Sequence, residues 1–470
     1  MPEGMKPSLQ ENLLVMLVWN DTAAQLIRNA VEPNLFTTPV YRDIINRVYD
    51  YLDQYKKPPK DNFPDLIEDE LESKSGDLYR DILKAVGKTK DSLNETYILN
   101  QLSNFVRTQQ LKLGIIKAGE LIQQGQTLMA EVALEKAMKS RLELFQPGAT
   151  LADGIKTLER GGPFREAIPL GIPELDRHRL GPARKELHAM IGAKKTGKTW
   201  WLLHLAKQAI KARLNVAYVS LEVSEELLTL RMLQSLFSLT LSQGRRVLNV
   251  TRFEKDALGR IVEFNKDQLS QGALMDREIV KKLKSRLDFG PLSKRLRIKE
   301  FPTGSLSIHG LEAYLDALER MDGFIPDVLA VDYPGIMKLD PKNLRLELMG
   351  TTRDLRGIGV DRNMAVAVVG QTNREGAKRN TIAGTDAGED FSITQTADVV
   401  LTYSQTSAEY QLGLARLQVD SSRISRQHFG VMIAQSYELG QFCLDSAPMM
   451  DTYWNSIKEL SGKPIDDAEE

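Results

Sequence analysis

Gly192-Ala193-Lys194-Lys195-Thr196-Gly197-Lys198-Thr199 reads G-A-K-K-T-G-K-T and fits the nucleotide-binding pattern G-x-x-x-x-G-K-[ST]. The apolar run Leu187 to Ile191 before it predicts a buried strand, and Trp200 to Ile210 after it predicts a helix. That context is what phosphate binding needs. Two glycines let the backbone turn tightly enough for successive N–H groups to point at phosphate oxygens, and the helix N-terminus adds its positive end. Lys198 then supplies a cation for the β- and γ-phosphates, and Thr199 a hydroxyl for Mg²⁺. The eight residues from Gly192 to Thr199 therefore predict a site for a nucleoside triphosphate, with ATP as the default.

Outward from this loop the sequence alternates. Apolar, β-branched runs recur at Leu187–Ile191, Val216–Leu221, Leu296–Ile298, Val328–Val331, Met364–Val369, Val399–Tyr403, Ala415–Val419 and Val431–Ala434, with amphipathic segments between most of them. Strands alternating with helices predict an α/β fold with a doubly wound, mainly parallel sheet. The charged stretch from Leu241 to Arg295 reads as a mostly helical surface insertion. Before the loop the pattern is helical only. Short amphipathic helices run from Leu9 to Leu83, and two longer ones from Leu93 to Phe145 predict a helical hairpin whose stripes serve its own core or a subunit interface. A short helix, Leu151 to Arg160, stands between turn residues as a linker element.

The 470 residues exceed one ordinary core, so two or more domains are expected. Lys and Arg number 62 against 63 Asp and Glu, so contact with nucleic acid must come from a local basic surface. The single Cys443 excludes an internal disulfide and a multi-cysteine metal site. The longest apolar run, Leu13 to Trp19, is too short to span a membrane, and the N-terminus lacks signal-peptide features; a cytoplasmic protein is expected.

The class of chemistry depends on what ends the later strands. Asp332 closes Asp327-Val-Leu-Ala-Val-Asp332, where a carboxylate can hold Mg²⁺ directly or through water. Glu222 follows the second strand; it is either a base for the attacking water or a solvated acid. Gln371 closes Ala367-Val-Val-Gly-Gln371, where a neutral amide can sense the γ-phosphate. The loop after it carries Arg374, Lys378 and Arg379, a candidate grip on a nucleic-acid backbone or a solvated loop. Arg416, Arg423 and Arg426 lie in and after a late strand, and each could complete a neighbour's site or form a surface ion pair.

With these parts in order, the chain resembles the DnaB-like replicative helicases of bacteria and their phages, and looks most like a phage-encoded member. The resemblance rests on Leu35-Phe-Thr-Thr-Pro-Val-Tyr-Arg-Asp-Ile-Ile45, Leu170-Gly-Ile-Pro-Glu-Leu-Asp176, Ser220-Leu-Glu-Val-Ser224, Gln371, and Phe391-Ser-Ile-Thr-Gln-Thr-Ala-Asp-Val-Val400. It implies an all-α collar over 1–92, a helical hairpin over 93–146 and a linker with a docking helix over 147–168. A RecA-like ATPase domain over 169–450 and an acidic tail over 451–470 complete it. It further implies a ring of six subunits that moves 5′ to 3′ on single-stranded DNA and unwinds duplex at a replication fork, in contact with a primase and a helicase loader. Glu222 inherits the catalytic role and Arg423 that of an arginine finger, with Arg426 as its rival. Three departures stand out: Ser421-Ser422-Arg423 replaces the family's Lys-x-Arg, the loop from Arg423 to Gly430 is longer than the family's, which makes Arg426 the rival, and Leu180-Gly-Pro-Ala-Arg184 replaces its Gly-Gly turn. A strand-exchange ATPase of RecA type and a non-motor nucleotide-binding loader or scaffold are the competing classes.

Overall fold

Every residue of Leu187–Gly192 is buried, as a strand covered on both faces requires, and the main sheet is built around it. The computed structural model describes residues 7–461 except 34, 35, 37, 74, 75, 90–94, 128, 131, 132, 135, 136, 138–150, 160–164, 242–245, 258, 290, 374, 375, 377, 378 and 388–390. The chain divides into two units, Met1–Gly161 and Gly162–Glu470.

In the second unit the strands are β1 (Leu187–Gly192), β2 (Val216–Ser220), β3 (Arg246–Lys255), β4 (Ile261–Gln271), β5 (Leu296–Glu300) and β6 (Val328–Asp332). They are followed by β7 (Ala365–Gln371), β8 (Val399–Ser404), β9 (Leu414–Ser422), β10 (Phe429–Ser436) and β11 (Gln441–Pro448). Among the described residues one sheet has nine strands in the order β11-β10-β9-β8-β1-β7-β6-β2-β5. From β8 to β5 all neighbours are parallel, whereas β9, β10 and β11 join antiparallel. This is the doubly wound, mainly parallel arrangement that the alternation of strands and helices predicts.

Side-chain alternation splits each central strand between two cores. Met190, Val328, Ala330, Ala367 and Val369 face a core shared with helix Lys198–Lys211, while Ala189, Ile191, Leu329, Val331 and Val368 face one shared with helices Ile308–Asp322 and Leu344–Asp361. Because both faces are covered, these strands carry no polar alternation. That is why they read as continuous apolar runs.

Two stretches differ from expectation. The insertion between β2 and β5 is a β-hairpin, β3 paired antiparallel with β4, followed by helix Arg277–Phe289. Leu248 and Val250 pack with Leu439, and Phe253 packs with Leu414 and Met432, so strand packing and not a helix stripe organises the segment. The acidic tail assigned to 451–470 starts too early. Tyr453–Ser461 is a helix with Tyr453 and Ile457 buried, and the Tyr453 hydroxyl donates to Glu409, itself paired with Arg416.

The first unit is helical. Helix Pro7–Trp19 has Leu13 to Val18 all buried, which explains the short apolar run: it is the centre of a helical core that also contains Ile27, Ile45, Val48 and Leu102. Helix Glu95–Gln123 approaches a second helical segment so closely that a Cβ built at Gly114 would lie 2.2 Å from the Ala137 Cβ. No helix of the described residues is long and apolar enough to cross a membrane.

Candidate nucleotide site

The loop of Gly192 to Thr199 joins β1 to helix Lys198–Lys211 at the carboxyl ends of the parallel strands, where open α/β sheets place ligands. Gly197 adopts φ +106°, a left-handed conformation that favours glycine. The Lys198 ammonium turns back into the loop and donates to the carbonyl oxygens of Gly192 at 3.3 Å and Ala193 at 2.8 Å. Thr196 Oγ1 donates to the Ala193 carbonyl at 2.7 Å, closing the turn. The loop is thus shaped by its own side chains.

The neighbouring strands bring the predicted acids and amide alongside. Gln371 lies at the end of β7 in register with Gly192, and the Thr372 amide donates to the Gly192 carbonyl at 3.3 Å. Asp332 ends β6 in register with Ser220 of β2. Its carboxylate is buried and accepts from the Tyr218 hydroxyl at 3.3 Å and from Thr199. Burial raises the pKa of Asp332, and the negative charge of Glu222 adds to that, while Thr199, Tyr218 and Lys198 oppose it. Glu222 itself is exposed on the turn after β2, which Ser220 shapes by donating to the Val223 carbonyl at 2.6 Å. The Leu221 carbonyl accepts from Thr303 at 2.6 Å, so the backbone carrying Glu222 is held on both sides. Lys198, Thr199, Glu222, Asp332 and Gln371 therefore share one edge of the sheet.

Arg423 does not. It follows β9, whose Ser422 pairs with Val399 at the opposite end of β8, and its guanidinium bonds Asp398 at 3.2 Å and the Gln395 carbonyl at 2.9 Å. Gly192 pairs with Tyr403, five residues further along β8 than Asp398. At ~3.3 Å per residue the separation is about 17 Å, beyond any arginine side chain. Arg426 stands over the Phe429 ring at 5.6 Å, and Arg416 is buried against Glu409 at 2.7 Å, which makes Arg416 structural. Arg374 and Lys378 lie outside the described residues. Arg379 is exposed and pairs with buried Asp386 at 3.0 Å.

Several neighbours carried no signal in the sequence. Tyr437, from the turn between β10 and β11, lies so close to the loop that a Cβ at Gly197 would be 1.9 Å from its hydroxyl oxygen. Its ring stacks on Trp200 with centroids 5.4 Å apart and planes 8° apart, and Arg231 covers the other ring at 5.3 Å. A cavity of about 480 Å³ opens beside this stack, lined by Trp200, Leu227, Arg231, Gln234, Tyr437 and Glu438. An aromatic residue after the threonine of a phosphate loop is visible in a sequence; its partner at 437 is brought there only by the antiparallel strands.

Comparison with known proteins fits this geometry. The family model described as DnaB-like helicase C terminal domain matches residues 167–423. A DnaB-like replicative helicase of Enterobacteria phage T4 is 22% identical over 255 residues, which are 52% of this chain and 48% of that protein. The replicative DNA helicase DnaB of Nostoc sp. is 24% identical over 330 residues, 66% of this chain and 33% of that protein. The chain thus spans about half the length, or less, of these curated relatives. A solved structure described as a DnaB-like replicative helicase and its interactions with primase superposes with a TM-score of 0.51 at 15% identity, covering 92% of this chain and 98% of that one. That likeness shows the fold. Because the family model covers more than half of the residues, and covers the phosphate loop with every acid described above, the chain belongs to the DnaB-like helicase family.

Proposed function

We propose that this chain is the ATP-hydrolysing subunit of a ring-shaped replicative DNA helicase, a hexamer, that moves 5′ to 3′ along single-stranded DNA and separates the duplex at a fork. The observation that carries the reading is the split of the site: the phosphate loop, Glu222, Asp332 and Gln371 line one sheet edge while Arg423 stands at the other. A single copy cannot bring these groups together. Two copies packed head to tail can, and repetition of that contact makes a ring.

Lys198 binds the β- and γ-phosphates, Gln371 contacts the γ-phosphate, and Glu222 orients and deprotonates the attacking water. Thr199 and Asp332 fit Mg²⁺, since both offer oxygen and Asp332 is a buried carboxylate whose charge is costly without a cation. When bound, Mg²⁺ neutralises phosphate charge. Arg423 of a second copy meets the charge of the transition state, a contribution of ~10³–10⁵ in rate, or roughly 4–7 kcal/mol. The cavity beside the Trp200–Tyr437 stack takes the nucleotide's base. Arg374, Lys378 and Arg379 hold DNA phosphates.

Leu151, Ile155 and Leu158 are exposed along the helix Leu151–Glu159, which supports a docking role for the linker on another subunit. The likeness to a helicase that interacts with primase supports a primase contact here, and a loader follows from the same role. A phage-encoded helicase would act in the host cytoplasm. The decisive experiment measures ATP hydrolysis with and without single-stranded DNA, together with unwinding of a fork bearing a 5′ tail. Hydrolysis stimulated by DNA and coupled to strand separation is expected; hydrolysis without unwinding, or pairing of homologous strands, refutes the motor.

A further inference from the structure

At the sheet edge away from the phosphate loop, two guanidinium groups converge on one carboxylate and a third lines the cleft beside them. Asp398, buried at the start of β8, accepts from the Leu187 amide at 3.0 Å, from Arg356 Nε at 3.1 Å and Nη2 at 3.0 Å, and from Arg423 Nη1 at 3.2 Å. Its oxygens are saturated by these bonds. Glu186, whose charge also reaches Arg356, is engaged by Arg165. Arg353 sits one turn before Arg356 on helix Leu344–Asp361, is exposed, and has no ion-pair partner among the described residues. Arg353, Arg356 and Arg423, with Gln395, Thr396 and Met349, line a cleft of about 380 Å³. With one carboxylate among three guanidiniums, the cleft carries two uncompensated positive charges.

We propose that Arg353 and Arg423 form a two-cation clamp for the terminal phosphates of the nucleotide bound by a second copy of this chain, with Asp398 and Arg356 as the pair that positions it. This rests on the shared-site reading above and deepens it: the trans contribution is a built cleft and not one finger. Uncompensated charge in a concave site calls for an anion. The volume is that of a small-molecule site, not of a nucleic-acid groove. Asp398 and the Gln395 carbonyl hold the planar Arg423 fork in one orientation, as bidentate phosphate recognition requires. The cleft is too far from its own loop to serve it, and head-to-tail packing is the arrangement that sets opposite edges of two copies face to face.

The test uses the full chain and pairs of inactive subunits. Arg353→Ala should lower DNA-stimulated turnover by ~10²–10³-fold with nucleotide affinity unchanged, the loss typical of one electrostatic donor; Arg353→Lys should recover part of it. Co-expressed with Lys198→Ala, which has no working loop but an intact cleft, Arg353→Ala should regain activity. Random pairing gives about one quarter of interfaces with both halves intact. The control is Arg423→Ala co-expressed with Lys198→Ala. If the control mixture recovers and the Arg353→Ala mixture does not, the clamp is wrong while the shared site stands. If neither recovers, the shared site itself fails. Should Arg353→Ala keep DNA-free hydrolysis and lose only single-strand affinity, the cleft holds a nucleic-acid phosphate and the clamp is overturned.

Discussion

The tightest packing at the phosphate loop is between Gly197 and Tyr437, so Gly197→Ala is the sharpest probe of whether the loop geometry matters. A Cβ there would stand 1.9 Å from the Tyr437 hydroxyl oxygen and 2.8 Å from its Cζ, against the ~3.5–4.0 Å of ordinary contact. The ring has little room to retreat: it is stacked on Trp200, and its hydroxyl lies 3.3 Å from that of Tyr403. Overpacking of this kind costs ~1–3 kcal/mol. The φ of +106° adds about 1–2 kcal/mol for any L side chain. Together they come to roughly 2–5 kcal/mol, borne by a surface loop and not by the fold. At 1.4 kcal/mol per tenfold, nucleotide affinity should fall by about thirtyfold to a few thousandfold. Titration with a fluorescent ATP analogue measures this, and an unchanged melting temperature shows the fold intact. Adding Tyr437→Leu removes the clash and leaves the φ penalty, so the double variant should regain part of the loss. Affinity within about twofold of wild type in Gly197→Ala alone would refute the reasoning, as would a double variant that regains nothing.

Three further outcomes test other parts of the molecule. Asp332→Asn should weaken Mg²⁺-dependent nucleotide binding and turnover; an unchanged Mg²⁺ titration would remove Asp332 from the ion's site. Burial pushes His188 and His204 down to about 3, so both are neutral in the fold. The unfolded chain takes up their protons below pH 6.5, so this stability is complete above that pH and is lost as pH falls towards 3. Urea melts between pH 6 and pH 4 should show His188→Gln/His204→Gln losing stability less steeply than wild type, by up to ~3 kcal/mol per pH unit for the pair; parallel slopes would place the histidines in water. Tyr453→Ala should cost about 3–5 kcal/mol in denaturant stability, because its ring is buried against the Glu409–Arg416 pair. A solvated tail would lose nothing.

What could be read from sequence was whatever is local or doubly buried. The loop of Gly192 to Thr199 is contiguous, and β1, β2, β6 and β7 read as apolar runs because helices cover both faces. The hairpin of β3 and β4 did not read as strands. Its buried positions change side along the strand, from Leu248 and Val250 to Thr251 and Phe253, and its charges at Arg252, Glu254, Lys255, Glu263 and Lys266 mask the alternation. Residues 451–461 read as tail because Trp454, Ser456 and Lys458 surround the two buried positions, Tyr453 and Ile457.

The Asp398 cluster marks the limit of such reading. Leu187, Arg356, Asp398 and Arg423 have nothing in common as a pattern, and only the parallel pairing of β1 with β8 and the antiparallel return of β9 bring them to one point. Resemblance singled out Arg423 and noted serine at 421, but said nothing of Arg353 or Arg356. The fold supplies the reason those positions matter. A carboxylate whose every oxygen is engaged from β1, helix Leu344–Asp361 and the end of β9 ties the guanidinium of Arg423 to the centre of the sheet. Asp398 therefore joins the start of β1, which carries the phosphate loop at its other end, to Arg423. If each copy's loop faces the next copy's cleft, one strand links the site a subunit owns to the site it completes.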